Sequence, residues 1–382
     1  MKNFVFVLLF IALTALCWGV YGPVLRVGQA GMAPGSAHPP HLKPFICVGV
    51  AYFVIAILVP GLLLQLRGEK GRWTARGLLW SLLSGAAGAV GALGIILAFA
   101  NHGSPILVMP LVFGCAPVVN TFYTMLTSKG HQKPGPLFFA GLIVVAAGAV
   151  TVLVFKPAPA KAVAAAQAGA DAKATAAKSD QPAANGGKAK PAAKAKAVAS
   201  HDTASSTMAD MTMVLAFVAL TALSWGVYGP VLHKGQMLME GSRLRPLICV
   251  GVSYFVIAVL VPVVLLQMNL IDEPGEFTFD GCVWSLAGGA VGALGALGII
   301  MAFNFGGKPI YVMPLVFGCA PVINTFVSLS RQQVADVSPV FYSGLIMVAA
   351  GAVTVLVFAP KAGHGPAPKK EPPKPKAVEQ PA

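Results

Sequence analysis

Charge is what this sequence lacks most. Only 10% of its 382 residues are Asp, Glu, Lys or Arg, while 56% are hydrophobic. A mean hydropathy of +0.76 is too high for a soluble domain, which needs a charged surface. No apolar run of membrane length holds an acidic side chain within it, so a carboxylate proton relay inside a helical bundle is not expected. Catalytic signatures are missing as well. There is no Gly-x-Ser-x-Gly elbow, no His-Glu-x-x-His and no phosphate-cradling glycine-lysine loop, so no enzyme, cofactor or metal site is expected. Cys17, Cys47, Cys115, Cys249, Cys282 and Cys319 all fall in apolar runs without a CxxC pair, which points to packing and says little about redox compartment. The net charge of +14 has no nucleic-acid motif beside it, which argues against that partner.

What is present is a series of apolar runs of about 20 residues, the length that crosses a bilayer as helix. Five are Phe4 to Leu25, Pro44 to Leu66, Gly77 to Ala100, Pro105 to Leu126 and Pro136 to Phe155. Five more are Met211 to Leu232, Pro246 to Leu270, Gly281 to Phe303, Pro309 to Leu329 and Pro339 to Phe358. A cleaved signal peptide is an alternative for the first run. It is opposed by the bulky Leu16 before Cys17 and by the return of the same segment in mid-chain, so a retained helix is expected.

The runs repeat. TALCWGVYGPVL (Thr14 to Leu25) returns as TALSWGVYGPVL (Thr221 to Leu232), and ICVGVAYFVIAILVP (Ile46 to Pro60) as ICVGVSYFVIAVLVP (Ile248 to Pro262). MPLVFGCAPVVNTF (Met109 to Phe122) returns as MPLVFGCAPVINTF (Met313 to Phe326), and GAVTVLVF closes both halves. Each half is a five-helix unit. Because five crossings leave the chain on the far side, the second unit must be inverted relative to the first. The expected fold class is therefore all-α integral membrane, with ten transmembrane helices as two inverted five-helix repeats. The expected organisation is a first repeat over 1–156, a disordered Ala/Lys/Pro-rich linker over 157–210, a second repeat over 211–360 and a disordered basic tail over 361–382.

Loop charge sets the orientation. The N-terminal side collects Lys2, Arg67, Lys70, Arg72, Arg76, Lys129, Lys133, Lys234, Arg243, Arg245 and Lys308, whereas the opposite short loops hold Arg26, Lys43 and Arg331. By the positive-inside rule both termini are cytoplasmic, and the expected location is a bacterial inner (plasma) membrane.

The polar groups left inside the runs are neutral. Trp18 and Tyr21 share a helix face, as do Trp225 and Tyr228; they read equally as cavity lining or as an interfacial aromatic belt. Pro110 and Pro117, like Pro314 and Pro321, deprive carbonyls one turn back of partners, and Asn120-Thr121 and Asn324-Thr325 follow the second proline. These pairs suit a site for a neutral or zwitterionic solute, and equally suit interhelical hydrogen bonding. Tyr52 and Tyr254 occupy matching places, with packing the rival reading. The candidate substrate-binding set is Trp18, Tyr21, Tyr52, Pro117, Asn120, Thr121, Trp225, Tyr228, Tyr254, Pro321, Asn324 and Thr325. Small residues such as Ser84, Gly88, Gly91, Ser285, Gly289 and Gly292 read as close helix packing. Gly141, Gly148, Gly344 and Gly351 read the same way, within the fold or at a homodimer contact.

The blocks ALGIILAFANHGSPILVMPLVFGCAPVVNTF and ALGIIMAFNFGGKPIYVMPLVFGCAPVINTF, each followed by a Gly-rich closing helix, resemble the drug/metabolite transporter superfamily, specifically its ten-helix EamA type. Trp18-Gly19 and Trp225-Gly226 resemble that family's first-helix pattern. The similarity covers about residues 4 to 156 and 211 to 360. It departs where Lys129 and Arg331 stand near a position often acidic in the family, in the unusually long linker, and in the absence of the membrane glutamate of small multidrug exporters. The resemblance implies the fold and a transporter, and leaves multidrug/proton exchange unsupported. The expected function is a secondary transporter or facilitator of a small polar metabolite (amino acid, sugar or nucleoside-like solute) by alternating access, its partners being that small-molecule substrate and the lipid bilayer. The competing expectation is a non-transporting membrane scaffold whose disordered segments recruit partners.

Overall fold

A computed structural model describes residues 2–36, 39–127, 134–155, 193–331 and 337–358. In the first half α1 spans Lys2–Gly31; α2 joins Leu42–Phe53, a π-helical turn Val54–Leu58 and Val59–Arg67; α3 is Ala75–Ala100, α4 Pro105–Thr127 and α5 Pro136–Val154. In the second half α6 spans Ala193–Leu238; α7 joins Leu244–Phe255, a π turn Val256–Leu260 and Val261–Gln267; α8 is Phe279–Asn304, α9 Pro309–Arg331 and α10 Pro339–Val357. No strand occurs among the described residues. Eight of these helices are long and apolar enough to cross a membrane, and α5 and α10 are shorter apolar helices of 19 residues. Large apolar side chains such as Leu9, Leu62, Leu126, Ile143 and Ile346 stand exposed on the outer surface, as lipid-facing residues do. The protein is an all-α integral membrane protein.

α6 begins at Ala193, inside the segment expected to be disordered up to residue 210. The stretch AKAKAVAS is dominated by Ala and Lys, strong helix formers, and it continues the helix of the span that follows. The rest of the expected linker, the tail, Lys129 and Lys133 lie outside the described residues.

Local features recur in pairs. Pro60 and Pro262 cannot donate to the helical ladder and crowd the carbonyl one turn back. The chain answers with a wide turn just before each proline, in which Val59 N–H bonds Val54 O and Val261 N–H bonds Val256 O, the i to i−5 pattern. Thr74 and Thr278 cap α3 and α8 by accepting from Gly77 N (3.0 Å) and Gly281 N (3.1 Å). The same hydroxyls donate to Leu238 O (3.0 Å) and Gly31 O (2.9 Å), at the ends of α6 and α1. Each cap thereby also fastens the first helix of the opposite half.

The most extensive helix packings all join one half to the other: α1 with α8 and α9, α6 with α3 and α4, α2 with α8, α7 with α3, α4 with α9 and α5 with α10. The halves are not separate bundles. Two interleaved groups result, one of α1, α2, α8 and α9 and the other of α6, α7, α3 and α4, and each contains helices from both halves.

Equivalent helices run antiparallel where they meet. Gly49 of α2 faces Ala258 while Gly251 of α7 faces Ala56, and Gly141 of α5 faces Gly351 while Gly148 faces Gly344. The backbones approach so closely there that a Cβ has no room, which is the packing role expected of Gly141, Gly148, Gly344 and Gly351.

Two loop carboxylates close the frame. Glu273, after α7, accepts from the backbone N–H groups of His41 (2.7 Å), Leu42 (2.6 Å) and Lys43 (2.9 Å) at the start of α2, with His41 Nδ1 3.1 Å away. Glu69, after α2, accepts from Ser242 Oγ (2.6 Å), Arg243 N (2.9 Å), Arg243 Nε (2.9 Å) and Leu244 N (3.1 Å) at the start of α7. Each carboxylate caps the N-terminus of the equivalent helix in the other half, where the helix dipole also favours negative charge. Burial alone would raise the Glu69 carboxyl, but the bonds from Ser242, the Arg243 side chain and two backbone amides outweigh it and hold the group below the ordinary glutamate range.

Candidate functional site

Where the two interleaved groups meet, eight residues enclose a chamber: Trp18 and Tyr21 of α1, Tyr52 of α2 and Gly292 of α8 from one group, Trp225 and Tyr228 of α6, Tyr254 of α7 and Gly88 of α3 from the other. Each wall is the other's counterpart.

Helical spacing puts Trp18 and Tyr21 on one face of α1, and hydrogen bonds then fix the rings. Trp18 Nε1 donates to Gly292 O (3.3 Å) and Trp225 Nε1 to Gly88 O (3.2 Å). One turn earlier the Thr14 hydroxyl lies 2.8 Å from Phe10 O and 3.2 Å from Gly295 O, and Thr221 lies 2.9 Å from Phe217 O and 3.1 Å from Gly91 O. The indoles occupy the space that side chains at Gly91 and Gly295 would fill, since a Cβ at either glycine would fall within the indole itself.

The rings form a connected stack. Trp18 and Trp225 stack with centroids 5.8 Å apart, Trp18 with Phe317 at 6.0 Å, and Phe113 with Phe317 at 5.8 Å; the Phe113 and Trp225 rings are tilted at 5.9 Å. Tyr52 and Tyr254 lie face to face at 3.6 Å, almost parallel. The Tyr21 and Tyr228 hydroxyls are buried and have no partner within the protein. Buried hydroxyls without partners are costly and uncommon, and here a matched pair borders one chamber.

The chamber is small. Its volume of about 20 Å³ is room for roughly one water molecule. In this conformation the rings pack against each other across the chamber and leave no wider space between them.

Six of the candidate residues, Trp18, Tyr21, Tyr52, Trp225, Tyr228 and Tyr254, are brought together as the chamber's aromatic lining. Tryptophans buried to this depth are not part of an interfacial belt. Pro117, Asn120, Thr121, Pro321, Asn324 and Thr325 are not among the lining residues. Asn120 Nδ2 donates to Pro309 O (3.2 Å) at the start of α9, and Asn324 Nδ2 to Pro105 O (2.9 Å) at the start of α4. This is the interhelical bond that was the rival reading for these asparagines. Thr121 and Thr325 are buried with hydroxyls that have no protein partner, and Pro117 and Pro321 lie within α4 and α9.

Sequence reasoning missed Phe113 and Phe317 as ring neighbours and read Gly88 and Gly292 only as packing. The phenylalanines stand in the duplicated VFGCAP block, so their pairing was available as a signal. For the glycines the signal was the i, i+3 pattern opposite the Trp-x-x-Tyr face. All six cysteines are free; Cys17, Cys47 and Cys249 are buried and Cys282 half-buried, as packing implies, whereas Cys115 and Cys319 are exposed and the packing reading does not hold for them.

Comparisons with known proteins add a fold likeness. No family model matches the sequence, and no curated protein matches it. A crystal structure described simply as that of a protein is 14% identical, with a TM-score of 0.52 over 92% of this chain and 97% of that one. At that identity the likeness concerns the fold alone.

Proposed function

We propose that the protein is a secondary transporter or facilitator that moves a small polar metabolite, such as an amino acid, sugar or nucleoside-like solute, by alternating access. In this reading all ten helices cross the membrane, as two five-helix repeats of opposite orientation, with both termini in the cytoplasm of a bacterial cell. The resemblance to EamA-type members of the drug/metabolite transporter superfamily supports it, as do the duplicated sequence blocks, the antiparallel meeting of equivalent helices and the bias of basic loops to one face.

The observation that carries the reading is the pair of buried, unpartnered tyrosine hydroxyls in a symmetric aromatic chamber between two matched helix groups. Aromatic faces and hydroxyls together suit a small solute with both apolar and hydrogen-bonding surface. The tight chamber corresponds to an occluded state, and rocking of the interleaved groups widens it toward one face at a time.

One observation favours a second reading. A chamber of about 20 Å³ is close to the filled interior of a non-transporting scaffold.

A conservative double substitution separates the two. Tyr21→Phe with Tyr228→Phe removes only the hydroxyls. As a transporter the variant shows, in proteoliposomes offered a panel of metabolites, a KM raised by about tenfold or more, the equivalent of one lost hydrogen bond. Its thermal stability is unchanged or higher, because unsatisfied buried groups are gone. A wild type without flux of any solute supports the scaffold, and wild-type kinetics in the variant remove the hydroxyls from the mechanism.

A further inference from the structure

Away from the aromatic chamber, a larger crevice of about 440 Å³ opens where α4 ends, α6 ends and α9 begins. Its described lining comprises Tyr123, Thr124 and Thr127 of α4, Pro230, His233, Lys234 and Met237 of α6, and Lys308, Pro309 and Ile310 at the start of α9. Two lysines and a histidine stand in this wall, and no carboxylate does. The crevice meets the N-terminus of one helix and the C-terminal turns of two, so the helix dipoles do not set its charge and the side chains do.

Two of the polar groups are held by ring contacts. His233 packs edge-on against Phe303, with centroids 4.9 Å apart, and the Lys234 ammonium sits 3.6 Å from the centroid of the Trp80 ring. Beneath them Thr124 is 7% exposed, and its hydroxyl has no partner in the protein; the buried Nδ1 of His233 has none either. Two lysine ammonium groups beside an unsatisfied buried hydroxyl are the chemistry that receives an oxyanion.

We propose that this crevice is a binding site for a phosphate-type oxyanion, with Lys308 and Lys234 supplying charge and Thr124 and His233 supplying hydrogen bonds. A crevice of about 440 Å³ has room for a larger molecule that carries the oxyanion. Either a soluble phosphate ester or the headgroup of an anionic lipid carries this chemistry. The site is distinct from the aromatic chamber. Only its role as the cytoplasmic mouth of a carrier rests on the transport reading.

The test is binding rather than flux, made with the full chain in phosphatidylcholine nanodiscs and inorganic phosphate as the probe, followed by calorimetry. Saturable binding is expected, weakened about tenfold or more by Lys308→Gln and to a lesser degree by the near-isosteric Thr124→Val. Melting curves of both variants report that the fold is intact. In nanodiscs containing phosphatidylglycerol, loss of the phosphate isotherm assigns the site to a lipid headgroup, and its persistence assigns it to a soluble ester. A wild-type isotherm that does not saturate, or one that folded Lys308→Gln and Thr124→Val leave unchanged, overturns the proposal. Phosphate binding without any metabolite flux would keep the site while removing the transport reading, and flux without phosphate binding would do the reverse.

Discussion

Gly295→Ala lowers stability by roughly 2–4 kcal/mol and abolishes flux, although it adds a single methyl group. The new Cβ would occupy the position of the Trp18 indole, so Trp18 must leave its place and its hydrogen bond to Gly292 O. Overpacking of this kind costs about 1–3 kcal/mol and the lost bond about 1 more. Gly91→Ala acts in the same way on Trp225 and its bond to Gly88 O. Gly288→Ala, also in α8, is the matched control, because its Cβ would meet Leu25 atoms at 3.6 Å, an ordinary contact. That substitution leaves stability unchanged or raises it by up to about 1 kcal/mol through helix propensity. Thermal unfolding in one detergent, with metabolite flux alongside, reads all three variants. A further substitution of Trp18→Phe restores part of the loss in Gly295→Ala, since the two positions compete for one space. Equal stability of Gly295→Ala and Gly288→Ala would mean that the indole is not wedged as described.

Glu273→Ala costs about 2–3 kcal/mol, the range for removing the charged acceptor of a helix N-terminal cap. Three backbone amides at the start of α2 lose their acceptor at once, in a position where Glu273 is fully shielded from solvent. Glu69→Gln tests the matching latch through pH. Because folding holds the Glu69 carboxyl below its unfolded value, the stabilisation is fully present above the unfolded glutamate pKa of about 4.3. It is lost as pH falls through the lower folded value. The difference in stability between wild type and Glu69→Gln is therefore greatest near neutral pH and closes on acidification. A difference that stays constant down to the acid limit would show that the carboxylate does not act through its charge.

The all-α membrane class was legible because apolar runs of bilayer length dominate the chain. Two copies of each run made the helices readable, and Trp18, Tyr21 and their counterparts declared a shared helix face through spacing alone. How the halves interleave was not legible. The pairing of α1 with α8 rather than with its own neighbours depends on glycine and indole surfaces more than 270 residues apart, as the bond from Trp18 to Gly292 shows. Asn120 and Asn324 were visible as polar groups in apolar helices, yet periodicity does not say whether such a group meets a solute or the first carbonyl of a partner helix. Glu69 and Glu273 looked like loop residues. Their burial arises only when each meets a helix start 173 to 232 positions away.

In the proposed carrier the moving boundary would lie between two interleaved helix groups rather than between the first and second halves of the chain. The reciprocal glutamate caps tie α2 to the loop after α7 and α7 to the loop after α2, bracketing that boundary at both ends of the pair. The central claim is that the aromatic chamber opens to each side of the membrane in turn.

Its most direct test is thiol labelling of Tyr21→Cys in a chain whose six native cysteines are replaced, using a membrane-impermeant reagent applied to either face of sealed vesicles. The account expects modification from both faces, slowed from both by any transported solute. Modification from neither face, or from one face only, would contradict it.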